Sequence, residues 1–125
     1  MRKFTENELE VMKILWEGGE MKPSEIQEKF PAPIKNPALR SHLSFLVEKR
    51  HVTRRMNKGA YHYKAKTKKD SAFRHMYGNL VDAFFEGSTE SLLCHLVKSE
   101  KLSPETISEL KELIESEKKQ RGSKK

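Results

Sequence analysis

The stretch KNPALRSHLSFLVEKRHVTRRMNKGAYHYKAKTKK, residues 35–69, decides the fold. It opens with a helix start signal, Asn36 as the cap and Pro37 in the first-turn position that tolerates proline. Leu39, Leu43, Leu46 and Val47 then recur on one helical stripe. Two strand-like runs follow, His51–Met56 and Ala60–Ala65, with Asn57-Lys58-Gly59 as the short loop of a hairpin. Within the first run Val52, Arg54 and Met56 share a face, and in the second Tyr61 and Tyr63 do. The stretch holds eleven Lys or Arg and one acid, a net charge of +10 in a chain of 125 residues that totals +7. Residues 1–34 sum to −2 and residues 70–125 to −1, so the basic excess belongs to this segment alone. A cationic helix running directly into a cationic hairpin is the outline of a winged helix-turn-helix that grips a polyanion.

On a helical wheel the face opposite the leucine stripe carries Pro37, Ser41, Ser44, Phe45 and Glu48, with Arg40 at its edge. Small polar side chains beside an arginine suit a helix entering a major groove about 12 Å wide. A solvated basic face is the ordinary fate of lysines. Here acids nearly vanish from thirty-five residues of an otherwise acid-rich chain, and that stretch coincides with one structural unit.

Upstream, Thr5 and Glu8 form a capping-box pair ahead of Leu9, Val11, Met12, Ile14, Leu15 and Trp16, predicting a first helix that ends at Gly18-Gly19. Lys22-Pro23-Ser24-Glu25-Ile26 opens a short second helix, with Ile26 and Phe30 facing inward, and Pro31 and Pro33 stop it. Three helices with a tight turn before the third match a helix-turn-helix unit. Downstream, composition shifts at Lys66-Thr67-Lys68-Lys69-Asp70. A fourth helix is expected from Ser71 to Phe85, a fifth capped by Ser88 or Thr89, and a sixth starting at Ser103-Pro104-Glu105. Lys118–Lys125 is expected to fray.

These readings predict a mainly α protein with a small β-hairpin wing: a winged helix-turn-helix over 1–69 and a helical region over 70–125. The second region is rich in apolar residues that a winged helix does not need for its own core. Phe73, Tyr77, Phe84, Leu92, Leu93, Leu96, Leu110, Leu113 and Ile114 are therefore expected to form a dimer core shared between two copies.

Several function classes are excluded or disfavoured. His42, His51, His62, His75 and His95 are scattered without ligand spacing, so neither a metal site nor a cofactor is predicted. The single cysteine, Cys94, excludes an internal disulfide framework, fits a reducing cytoplasm and reads as a small buried hydrophobe. No nucleophile triad, phosphate loop or carboxylate pair stands out, so an enzyme is not expected. Met1-Arg2-Lys3-Phe4-Thr5-Glu6 lacks the apolar run of a signal peptide, and no segment reaches the roughly 20 apolar residues that a membrane span needs. From the residues alone, three readings stand open: a sequence-specific DNA binder, a non-specific architectural DNA binder and a winged-helix protein-interaction adaptor.

Phe4-Thr5-Glu6-Asn7-Glu8-Leu9-Glu10-Val11-Met12-Lys13-Ile14-Leu15-Trp16 resembles the opening helix of the penicillinase repressor family (BlaI/MecI/CopY). The likeness continues through Leu39–Lys49, through Tyr61-His62-Tyr63, and through Glu90-Ser91-Leu92-Leu93 and Leu110-Lys111-Glu112-Leu113-Ile114. It implies a homodimeric transcriptional repressor of double-stranded DNA with a pseudo-palindromic operator. It also implies a membrane sensor-protease as a partner of the β-lactam-responsive members. By position, Arg40, Ser41 and Ser44 would face bases, with Phe45 on the same face where the family often has Arg. Lys35, Arg54, Arg55 and Lys58 would hold phosphates. Ala38 stands where the family usually has Thr. The position of the family's Asn-Phe cleavage bond is occupied by His95-Leu96, and the Cys-x-Cys pairs of copper-responsive members have no counterpart.

Overall fold

The computed structural model describes residues 1–123; Lys124 and Lys125, within the tail expected to fray, lie outside the described residues. The elements are α1 (Glu6–Gly18), α2 (Pro23–Lys29), α3 (Asn36–Glu48), β1 (Val52–Asn57), β2 (Ala60–Ala65), α4 (Lys69–Phe85), α5 (Thr89–Ser99) and α6 (Pro104–Ser123). Met1–Asn79 form one compact unit, and the chain from Leu80 forms a second.

In the first unit, α1 begins with the capping box that the sequence spells. The Glu8 N–H donates to Thr5 Oγ1 at 3.1 Å, and the Thr5 N–H donates to Glu8 Oε1 at 2.9 Å. Val11, Met12, Ile14 and Leu15 are buried along α1, Ile26 along α2, and Leu39, Leu43 and Leu46 along α3. The three α3 leucines are each 0 % exposed. Full burial of such a side chain is worth about 1.5–3 kcal/mol relative to leaving it in water, so this stripe fixes the rotation of α3 about its axis.

The hairpin is antiparallel, with Val52 paired to Ala65 and Asn57 to Ala60. Asn57 is therefore the last strand residue, and the turn is two residues long. Lys58 (φ 52°) and Gly59 (φ 79°) both have positive φ, the type I′ requirement that matches strand twist. His51, expected in the first strand, precedes it. Met21 adds a single-residue third strand: its N–H donates to Tyr63 O at 3.0 Å, and Tyr63 N–H donates back at 2.8 Å. Val52 and Tyr63 close the core against the helices.

Two polar devices tie the unit's ends together. His51 is 2 % exposed; its Nε2 lies 2.7 Å from Arg2 O and its Nδ1 2.8 Å from Thr67 Oγ1. A carbonyl can only accept, so Nε2 carries a proton. The Trp16 indole N–H donates to Thr67 O at 2.9 Å. Glu8, 1 % exposed, accepts from Lys49 Nζ at 2.6 Å, and Lys49 also donates to Lys3 O at 3.0 Å. Burial by itself pushes the Glu8 carboxyl up. Hydrogen bonds from Lys49 and Thr5, with the Lys49 charge, outweigh it and hold the group below its ordinary value.

The first α3 residue is Asn36, with Lys35 at the cap position, because the Leu39 N–H is taken by the Lys35 carbonyl at 3.1 Å. Helix α4 starts two residues before the expected Ser71.

In the second unit, Ser88 Oγ caps α5 by accepting from the Ser91 N–H at 3.0 Å, and Ser103 Oγ caps α6 by accepting from the Thr106 N–H at 3.1 Å. Helix α6 continues through the residues expected to fray as far as Ser123. Glu115, Lys118, Lys119, Gln120 and Arg121 near its end are good helix formers, with a Glu115–Lys118 ion pair at 3.8 Å. Helix α5 has no buried residue, and Cys94, expected inside, is exposed. Among the described residues no helix is long and apolar enough to cross a membrane.

The Glu8–Lys49 pair gives a signed prediction. With its pKa depressed by folding, Glu8 contributes stability that is present above its unfolded pKa and lost as pH falls through the folded value. Lys49→Met leaves the carboxylate buried without its cation. It is expected to cost about 3 kcal/mol at neutral pH and to invert the local slope, so that denaturant midpoints rise on mild acidification where the unaltered protein's fall. Parallel urea melts from pH 7 to pH 4 check this; parallel curves contradict it.

Candidate nucleic-acid interface

With Leu39, Leu43 and Leu46 turned inward, α3 presents Arg40, Ser41, Ser44 and Phe45 to solvent. Phe45 is 54 % exposed, an aromatic ring left in water on the outer face of a helix whose opposite stripe is fully buried. Arg40 does not hang free: its Nε donates to Asn36 Oδ1 at 2.7 Å, one turn back. The amide thereby directs the guanidinium along the outer face. Lys35 is exposed at the start of the helix, and Arg50, just past its end, is exposed with φ 67°.

The hairpin register separates the wing's side chains into two faces. Arg54, Met56 and Tyr61 share the face of the buried Val52 and Tyr63, and stand exposed toward the tip. Arg54 Cζ lies 4.6 Å from the centroid of the Tyr61 ring, a cation–π contact that orders the guanidinium. Lys58 is exposed in the turn itself. The opposite face carries Thr53, Arg55, His62 and Lys64. Arg55 is engaged there. Its Nε lies 3.0 Å from both Glu20 oxygens, and its Nη2 donates to Oε1 at 2.8 Å. The Arg55 hydrogen bonds are the largest influence on Glu20 and hold its carboxyl below the ordinary range; the same contact raises Arg55.

The structure thus gathers Arg40, Ser41, Ser44 and Phe45 on one helical face and puts Arg54 and Lys58 on the wing. It sets Arg55 on the other side of the hairpin with an acid already in its grip. Sequence reading missed Asn36 as the holder of Arg40, although their i, i+4 spacing carried that signal. It also missed Glu20, whose partner is 35 residues away. Phe73 (64 % exposed), Phe84, Leu93, Leu96, Leu110, Leu113 and Ile114 are exposed, while Leu92 and Tyr77 are partly buried. Tyr77 stacks on Phe73 at 6.0 Å. The His95 ring lies 5.7 Å from that of Phe85. Among the described residues no group of His, Cys, Asp and Glu could hold a metal ion.

A helix-turn-helix whose third helix is bare on its outer face, followed by a basic hairpin, defines a winged-helix DNA-binding regulator. The family model described as penicillinase repressor matches residues 4–116, and the chain belongs to that family. Among solved structures, the oxidised form of MarR from E. coli is 21 % identical, with 91 % of this chain and 75 % of that one covered and a TM-score of 0.51. YusO from Bacillus subtilis is 18 % identical, with 77 % of this chain and 76 % of that one covered and a TM-score of 0.50. At these identities the likenesses show the fold. Comparison with curated proteins gives no significant match. The protein is a DNA-binding transcriptional repressor by family, and not an enzyme.

Asn36→Ala removes the acceptor that orients Arg40. A hydrogen bond of this kind is worth about 0.5–1.5 kcal/mol. The expected result is an affinity loss of about two- to tenfold on the preferred DNA sequence, and none on random duplex. Equal losses on both, in competition titrations, would mean that Arg40 meets phosphate rather than a base.

Proposed function

We propose that the protein is a sequence-specific repressor that binds a pseudo-palindromic operator as a homodimer in the cytoplasm. The observation that carries this reading is the coincidence of the +10 segment with α3 and the wing in a chain of this family. Residues 1–69 are the DNA-binding domain and residues 70–125 the dimerisation region. Arg40, Ser41, Ser44 and Phe45 face base edges. The serine hydroxyls can donate or accept, Arg40 suits guanine O6 and N7, and Phe45 suits a thymine methyl. Lys35, Arg54, Arg55 and Lys58 take backbone phosphates, which fix position and supply the salt-dependent part of affinity.

The dimer reading is supported by the apolar side chains that one copy leaves in water. Leu93 is 49 % exposed, Val97 56 %, Leu113 61 % and Ile114 52 %, all on α5 and α6. A soluble monomer rarely keeps so continuous an apolar surface bare. Two copies related by a two-fold axis cover each other's helices and present two α3 helices to one face of DNA, roughly 34–36 Å apart or a multiple of that. His95-Leu96 stands at the position of the family's Asn-Phe cleavage bond, so release by cleavage there is not part of this reading. A membrane sensor-protease partner has no support from the chain's own residues.

Selection from random duplex DNA at physiological salt tests this. The expected outcome is enrichment of a two-fold symmetric site bound at least about a thousandfold over competitor. Salt-sensitive binding without an enriched sequence would favour an architectural DNA binder, and no binding would favour a protein-interaction adaptor.

A further inference from the structure

The wing face formed by Thr53, Arg55, His62 and Lys64 is distinct from the Arg54–Tyr61 face. The register sets Arg55 opposite His62 and Thr53 opposite Lys64, so all four project to one side. With Arg54 and Glu20 they line an open concavity of about 360 Å³. Among the described residues Glu20 is the acid that lines it, reached from the loop after α1. Its two oxygens take three short contacts from Arg55, and the charges of His62 and Lys64 also act on it. A carboxylate held by an arginine fork amid further cationic and hydroxyl groups occupies the place of an oxyanion with phosphate-like acceptors.

We propose that this concavity is a seat for a DNA backbone phosphate, and that Glu20 is its built-in competitor, displaced when DNA binds. The proposal rests on the DNA-binding reading above and adds Thr53, His62 and Lys64 to the phosphate contacts, with Glu20 as a gate on the wing. The exchange is geometrically simple. Arg55 is exposed (64 % of its side chain), only the Glu20 side chain has to swing away because the backbone beside it is pinned by the Met21–Tyr63 bridge, and an ion pair open to solvent contributes little to stability. A polyanion presents a denser charge than one carboxylate, so the guanidinium keeps an anionic partner throughout. Every complex must displace the acid, so Glu20 lowers affinity for arbitrary sequences as well as for the operator. Weak encounters, which lack base contacts, then fall below useful occupancy.

The test is a double-mutant cycle on random duplex and on the enriched site, with affinity followed against salt. Arg55→Gln should shrink the slope of log K against log[salt] by about 0.9, the contribution of one phosphate. Glu20→Gln should raise affinity severalfold on both DNAs with the slope unchanged. That gain should vanish in the Arg55→Gln background. Persistence of the gain there would overturn the proposal, since it would reflect only the general field of one acid less. An unchanged slope in Arg55→Gln would also overturn it, since Glu20 and Arg55 would then be a static structural pair. The Arg55 side chain is largely exposed and that of Glu20 partly so, and thermal melts of each variant confirm that the fold is intact. Absence of any DNA binding by the unaltered protein would instead sink the DNA-binding reading on which the proposal stands.

Discussion

Everything on the candidate interface depends on the burial of three leucines. Leu39, Leu43 and Leu46 are fully enclosed by α1 and α2, and an α-helix buried along one stripe has no freedom left to choose its outer face. Arg40, Ser41, Ser44 and Phe45 are exposed because those leucines are not. The same enclosure explains why the helix tolerates an aromatic ring in water at Phe45: the core holds the helix with that side out.

A second constraint is electrostatic. Lys49, at the end of α3, reaches back to Glu8 at the start of α1, and Glu8 is already committed to the Thr5 cap. One carboxylate thus fixes the entry of the first helix and the exit of the third. The wing starts directly beyond, where His51 is clamped between Arg2 and Thr67. The basic hairpin therefore projects from a base tied at both ends. Its two faces differ chemically: Arg54 rests on an aromatic ring, while Arg55 is held by an acid. Two neighbouring arginines, alike in sequence, have different partners because strand residues alternate sides.

Most of the first unit was legible in the sequence because its signals are local. Capping pairs, prolines, helical spacing and the Asn57-Lys58-Gly59 loop signal each act within a few residues, and together they give α1, α2, α3 and the hairpin. The family was legible from Phe4 onward for the same reason, since its opening helix is a local pattern. What escaped was non-local or cooperative. The Met21 bridge to Tyr63, the Glu20–Arg55 pair and the Glu8–Lys49 pair all join segments far apart in sequence. The position of Cys94 was misjudged because an apolar helix predicts burial without saying whether one chain provides the cover. The tail expected to fray continues α6 instead, and the residues from Lys118 to Arg121 are good helix formers.

The central claim is that the outer face of α3 reads bases while the wing holds phosphates. The most direct measurement compares Arg40→Ala with Lys58→Ala on the selected DNA site and on single-base variants of it, across a salt series. Arg40→Ala should lose about 1–3 kcal/mol on the preferred site and become indifferent to one base pair in each half-site. Lys58→Ala should weaken every sequence alike and reduce the salt slope by about 0.9. If Arg40→Ala keeps both affinity and base preference, helix α3 is not the reader and the account is wrong.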